Sequence, residues 1–379
     1  MSDIKDQTMK AIAEAAAIET LKRDTQTKKI ILESRRVDSA MQRQEQNDKD
    51  LQIAQATSFG TLDDRNIAEL QKENTDYIES AKTAMKFINE TFNEVVPYFR
   101  KNLILIGGKT GEGKSTTVAN IVWSTISQKN PITGKGRRAL VLTNEERSED
   151  VYNRITCLIN GWHYTNHNKF SKEQMETFNS NIKLLAGGGR LTVIDNAYNG
   201  SNGMTTSIEG IKTIFDNLLR DKEYYDVVII DYYQNVKYSK NDISLNEYDV
   251  QARLANLLDT YKNLYPAPIV LMTQVKPSED PDDPSPMEFR IKGRKVITDP
   301  ATMIMEMVAD RQNLRTKWIV WKSRFTEAIG RDFYTGYNKG KFVLYGEEHI
   351  RYAQELRAKQ EQARLMSGVS EKESDKKEE

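Results

Sequence analysis

The chain has 379 residues, and 55 Lys+Arg balance 55 Asp+Glu to a net charge of zero. That length can bury a large core and admits one large domain with appendages or two domains, while neutrality argues against a protein that coats nucleic acid and leaves room for one basic loop. A single cysteine, Cys157, and the lack of any apolar run near the ~20 residues of a membrane span point to the reducing cytoplasm, without a membrane partner.

Residues 1–57 are rich in Ala, Lys, Glu and Gln and lack Gly and Pro, which favours helix. Their sparse apolar positions, among them Ile12, Ile18, Leu21 and Ile30, sustain no heptad. A helical arm, exposed or laid on a neighbour, is expected rather than an autonomous domain. The start, Met1-Ser-Asp-Ile-Lys5, has neither a signal-peptide nor a transit-peptide pattern. Ser58-Phe-Gly-Thr-Leu62 breaks the helix, and residues 58–99 resume it as a linker whose stripe through Ile67, Leu70, Ile78, Phe92 and Val95 is expected to pack on a core spanning residues 100–345.

That core opens with an apolar run into Gly108-Lys-Thr-Gly-Glu-Gly-Lys-Ser115, the G-x-x-x-x-G-K-S phosphate-binding loop. Gly108, Gly111 and Gly113 let the backbone N–H groups turn inward, and the helix beginning near Lys114 adds its positive dipole end. Residues Gly108, Lys109, Thr110, Gly111, Glu112, Gly113, Lys114, Ser115 and Thr116 are the expected cradle for ATP. Lys114 would reach the β- and γ-phosphates, and the Ser115 hydroxyl would join the shell of a Mg²⁺ ion.

Strand-length apolar runs follow at 139–143, 191–195, 227–231, 269–273, 303–307 and 318–321, several separated by helical patterns such as 250–261. Continuous Val/Ile/Leu runs with crossover helices predict a largely parallel sheet covered on both faces. The first run delivers Glu145 and Glu146 to the carboxyl edge, where ligands of open α/β sheets bind; one of them is the candidate base for an attacking water, the other reading being an acidic turn before a helix. Val227-Val-Ile-Ile-Asp231 and Leu191-Thr-Val-Ile-Asp195 both end in a carboxylate suited to a metal shell. His163 and His167 have helical spacing but no acidic or thiol partner in sequence, and read as a solvated loop.

Gln274 ends the fifth run with an amide suited to sensing a γ-phosphate. Residues 277–286, with four prolines, form a loop. The basic stretch containing Arg290, Lys292, Gly293, Arg294 and Lys295 suits contact with nucleic-acid phosphates, or is a solvated loop. Lys322 and Arg324 close a later strand, either as catalytic cations or as caps of a strand edge. Residues 346–379 read as a polar helix over 347–366 and a disordered charged tail.

Taken together, residues ~100–345 resemble the ATPase domain of the DnaB-like hexameric replicative helicases, a RecA-type motor family that includes phage primase-helicases. Ile230-Asp-Tyr-Tyr-Gln234 is similar to the family's Ile-Asp-Tyr-Leu-Gln and favours Asp231 over Asp195 as the metal-site carboxylate. Thr143-Asn-Glu-Glu146 matches the region of the catalytic glutamate, with Glu145 in that place. Met272-Thr-Gln274 resembles the sensor segment. Trp321-Lys-Ser-Arg324 resembles the Lys-x-Arg pair that reaches a neighbour's nucleotide, and 290–295 falls where the family carries a DNA-binding loop. Residues 1–90 match neither the family's N-terminal globular domain nor a fused primase.

The resemblance implies a RecA-like P-loop NTPase core with a predominantly parallel sheet and a helical N-terminal arm. It further implies an ATP- and Mg²⁺-dependent DNA helicase that assembles as a homo-oligomer, a hexameric ring, moves on single-stranded DNA during replication, and works with a primase or helicase loader. The alternatives are a regulatory or recombination-accessory RecA-like ATPase that does not unwind DNA, and a non-hydrolysing DNA-binding ring, against which the intact Lys114, Glu145 and Asp231 argue.

Overall fold

The computed structural model describes residues 64–87, 90–96, 100–164, 169–196, 205–236, 247–277, 286–291, 295–324 and 327–374. The chain divides into two units, Met1–Glu73 and Asn74–Glu379. The arm expected over 1–57 lies outside the described residues, as do His167 and the loop over 278–285.

The helices are α1 (Asp64–Lys82), α2 (Glu90–Val95), α3 (Lys114–Ile126), α4 (Ser148–Asn160), α5 (Lys172–Gly187), α6 (Ile208–Arg220), α7 (Glu247–Leu264), α8 (Met287–Arg290) and α9 (Glu347–Ser374). The strands are β1 (Leu103–Gly108), β2 (Ala139–Thr143), β3 (Leu191–Ile194), β4 (Val227–Asp231), β5 (Ile269–Gln274), β6 (Met303–Asp310), β7 (Arg315–Ser323), β8 (Asp332–Asn338) and β9 (Lys341–Leu344). They form one sheet in the order β3-β2-β4-β5-β1-β6-β7-β8-β9. Every pairing from β3 to β6 is parallel, and those from β6 to β9 are antiparallel.

The apolar runs become central strands because both of their faces are covered. In β1, Ile104 and Ile106 join one core with Val118, Ile121 and Val122 of α3, whereas Leu103 and Leu105 join a second core with Leu254 and Leu258 of α7. The same alternation divides Val227 and Ile229 from Val228 and Ile230 in β4. Helix α6 buries Ile208, Ile211, Ile214 and Phe215 along one stripe and is capped by Ser207, whose hydroxyl accepts from Gly210 N–H at 3.0 Å.

Several expectations are revised. The linker stripe splits: Met85, Phe87, Phe92 and Val95 are buried, with Phe92 meeting Trp318 and Phe333 edge-on, but Ile67, Leu70 and Ile78 on α1 stay exposed. Strands β8 and β9 lie outside the expected runs: Phe333, Thr335 and Gly336 of β8 and Phe342 of β9 are buried, while Asp332 and Leu344 stay exposed at this antiparallel end of the sheet. Helix α9 continues to Ser374, past residue 366, since no proline interrupts the polar run. Among the described residues, no helix is long and apolar enough to cross a membrane.

Candidate active site

The parallel strands end together. Gly108 pairs with Gln274, Thr143 pairs with Asp231, and the loops that leave these ends carry the chemistry. The turn from β1 to α3 adopts φ of 86° at Gly111 and 99° at Gly113, values that side chains with a Cβ resist. A Cβ on Gly108 would approach Met307 Cγ to 2.8 Å, so a larger residue there would displace the Met307 side chain of β6. Lys114 is buried and folds back over the loop, donating to the carbonyls of Gly108 at 3.3 Å and Lys109 at 3.1 Å. Thr117 Oγ1 donates to Gly113 O at 3.1 Å. Ser115 and Thr116 occupy the first turn of α3, partly accessible.

The β6–β7 hairpin holds the loop from outside. Ala309 N–H donates to Glu112 Oε2, and Arg311 donates to Gly111 O at 2.8 Å. Between hairpin and loop is a cavity of about 320 Å³ lined by Gly111, Gly113, Thr116, Arg311, Tyr337 and Phe342 among others.

Asp231 ends β4, 3% exposed, and its Oδ1 has no hydrogen-bond partner. Burial above all, then the Glu145 and Glu146 charges, push this carboxyl up to about 7, against the opposing pull of Lys114 and Arg154. A buried carboxylate oxygen with no donor, beside a P-loop lysine, is a donor set that a hard divalent cation satisfies. Asp195 is engaged instead, accepting from Ser148 N–H at 2.7 Å at the start of α4.

The two candidate glutamates differ. Glu146 is half-buried and ion-paired with Arg154, whereas Glu145 is exposed at the edge. Asn144, which no motif chemistry singles out, clamps the next strand: its side chain donates to Tyr232 O at 2.9 Å and accepts from Tyr232 N–H at 3.0 Å, across the cis Asp231–Tyr232 peptide. Gln234 similarly engages the end of β5, where Gln274 lies.

Lys322 and Arg324 lie at the other end of the strands. Because β7 is antiparallel to β6, Lys322 pairs opposite Ile304, and Arg324 N–H donates to Thr302 O at 2.9 Å, level with Leu103. The phosphate loop of the same chain begins five residues further along β1, roughly 16 Å at the rise of a strand. The two side chains converge on the carbonyl of Asp299, from Lys322 at 3.2 Å and from Arg324 at 3.0 Å, and Lys322 also reaches Thr298 O at 2.7 Å. Burial, then Arg324, lowers the Lys322 pKa.

The basic stretch needs one correction. Arg290 belongs to α8, is 6% exposed, and forms a two-pronged ion pair with Glu306 of β6, with NH1 to Oε1 at 2.9 Å and NH2 to Oε2. Its charge is spent inside the protein and cannot serve a nucleic-acid phosphate. The signal was legible in Met303-Ile-Met-Glu306-Met-Val308, since a carboxylate within a buried strand demands a cation. Lys292, Gly293 and Arg294, and the side chain of Lys295, lie outside the described residues.

The family model for the DnaB-like helicase C-terminal domain matches residues 83–330, which include every strand from β1 to β7. The chain belongs to this family. It therefore carries a DnaB-like, RecA-type, ATP-binding helicase domain of the replicative class. Among solved structures it is similar to a DnaB-like replicative helicase described with its interactions with primase, at 15% identity over 78% of this chain and 70% of that one, with a TM-score of 0.56. It is also similar to a second solved structure, an isolated ATPase domain, at 14% identity over 76% of this chain and 100% of that one, with a TM-score of 0.58. At such identities the likeness is one of fold. No curated protein sequence matches the chain.

Proposed function

We propose that the protein is an ATP-dependent, ring-forming DNA helicase of replication, whose nucleotide sites are completed between copies of the chain. One observation carries this reading: the phosphate loop, Asp231 and Glu145 share one edge of the sheet, whereas Lys322 and Arg324 lie at the opposite edge, out of reach of their own loop. A head-to-tail arrangement brings the second edge of one copy to the first edge of the next, which is the geometry that closes into rings.

In this reading Lys114 and the loop N–H groups hold the polyphosphate. Ser115 and Asp231 hold Mg²⁺, which when bound shields the phosphate charge. Glu145 accepts the proton of the attacking water while Arg154 occupies Glu146, and Gln274 faces the γ-phosphate. Arg311 and Tyr337 line a cavity suited to a nucleoside base, with the ring offering a stacking face. Lys292, Arg294 and Lys295 meet the backbone of a single strand. The exposed Ile67, Leu70 and Ile78 of α1 suit docking on an adjacent copy, which would add the arm's support to the ring. The structural neighbour's primase interaction makes a primase, or a loader, the partner class to assay first.

The test is fork unwinding with either polarity of single-stranded tail, run beside mass photometry with and without ATP. Rings that unwind bear the reading out. ATP turnover that ignores single-stranded DNA, in a chain that stays monomeric, would favour the accessory ATPase.

A further inference from the structure

The ladder between β4 and β5 stops early. Its registered pairs are Val228 with Ile269, Ile229 with Val270 and Ile230 with Leu271; beyond them β4 turns off at Asp231 into the 3-10 turn Tyr233–Asn235, while β5 runs on to Gln274. On its other side β5 keeps its partner to the end, with Gly108 opposite Gln274 and Val275 N–H donating to Gly108 O at 3.2 Å. The last residues of β5 thus face an open edge where the metal-site carboxylate and the γ-phosphate sensor of the proposed function are to act together.

One side chain fills that edge. Gln234 Oε1 accepts from Gln274 N–H at 3.1 Å, Gln234 Nε2 donates to Gln274 O at 3.0 Å, and the same amide donates to Thr273 Oγ1 at 2.6 Å. An amide side chain carries one acceptor and two donors on a plane, as a peptide does, so Gln234 supplies Gln274 with the main-chain pairing that β4 no longer provides. We infer that Gln234 is a positioning residue: it ties the Asp231 turn to the main chain of Gln274 and thereby sets where the sensor amide points.

The tie extends past the sensor. Lys276 N–H donates to Arg290 O at 2.7 Å, Val275 bridges Ile291, and Arg290 is anchored to Glu306 of β6. Gln274 is therefore held at its main chain by Gln234, the next residue Val275 is held by Gly108, and from there onward the strand is tied to the α8 segment. Both sides of the strand are thus restrained where the sensor amide leaves it. A displacement of about 1 Å at such a group can cost roughly 10²-fold in rate. Asparagine, one methylene shorter, cannot reach both Gln274 atoms and Thr273 from the same backbone.

The inference rests on the sensor role proposed for Gln274, and a double-mutant cycle separates the two. Gln234→Ala, Gln234→Asn, Gln274→Ala and the Gln234→Ala/Gln274→Ala double variant would be compared in the full chain for kcat and KM of ATP hydrolysis with saturating single-stranded DNA, with circular-dichroism melts as the control for folding. We expect Gln234→Ala and Gln234→Asn to lower kcat about 10- to 100-fold with KM changed less than about threefold, because the phosphate loop is untouched. The double variant is expected to be no slower than Gln274→Ala, since a positioned group that is gone cannot be mispositioned. Normal kcat in Gln234→Ala, or additive losses in the double variant, would overturn the positioning role alone. A silent Gln274→Ala would overturn the sensor assignment and the inference with it. Loss of the folded state by Gln234→Ala, with Gln234→Asn folded and fully active, would make the contact structural and equally overturn the proposal.

Discussion

Glu145 and Glu146 are neighbours with opposite fates. The Arg154 guanidinium occupies Glu146, and Glu145 is left exposed at the edge. Glu145→Gln is expected to retain nucleotide binding and lose hydrolysis, because the amide is nearly isosteric yet cannot accept a proton from water; Glu146→Gln should keep most of its turnover. Nucleotide binding measured beside single-turnover hydrolysis checks both, and the reverse pattern would move the base to Glu146. Lys114→Ala is expected to abolish nucleotide binding. The Arg290–Glu306 pair sets a different kind of expectation. Both partners are nearly buried, and Trp321 Nε1 also donates to Glu306 at 3.0 Å, so Arg290→Ala leaves a carboxylate with one neutral donor. It should cost about 3–5 kcal/mol in urea unfolding, and Arg290→Ala/Glu306→Leu should recover part of that loss.

At the scale of elements, the β6–β7 hairpin decides two things at once. Its tip holds the phosphate loop through Ala309 and Arg311, and its far end presents Lys322 and Arg324. Removing the Arg311 hydrogen bond to Gly111 O should loosen the loop: Arg311→Ala is expected to raise the Kd for ATP several-fold with little change in thermal stability, read by titration calorimetry. Arg324→Ala, at the other end, should leave ATP affinity intact and depress turnover by roughly 10³-fold, the scale of an arginine supplied to phosphoryl transfer from outside. One hairpin thus yields a binding defect from one end and a rate defect from the other.

The whole molecule sets the tests that need more than one copy. Arg324→Ala chains and Glu145→Gln chains, each nearly inactive alone, should recover some turnover when mixed, because an interface pairing intact Glu145 with intact Arg324 is complete. Failure to recover in mixed rings shown by mass photometry would argue for a structural role at the strand end. Neutralising Lys292, Arg294 and Lys295 should flatten the salt dependence of single-strand binding by about 0.7 in log–log slope for each phosphate no longer neutralised, and Arg290, spent on Glu306, adds nothing to that slope. An unchanged slope would return the segment to the solvated surface.

Much of the site was legible in the chain itself. The phosphate loop is a local device, made by glycines, a lysine and a serine at fixed spacing, so Gly108 to Thr116 could be read without knowing any neighbour. The buried strands likewise announce themselves, since a strand covered on both faces must be apolar at every position. Three matters depended on tertiary structure. The partner of Arg290 is 16 residues away on β6; a carboxylate in a buried strand calls for a cation, and only packing shows which one is spent on it. That Glu146 of the two adjacent glutamates is ion-paired, with Arg154 of α4, is likewise visible only in the packing. The separation of Arg324 from its own nucleotide loop follows from β7 running antiparallel to β6, a direction that no residue in β7 encodes and that hydrogen-bond pairing across the sheet determines.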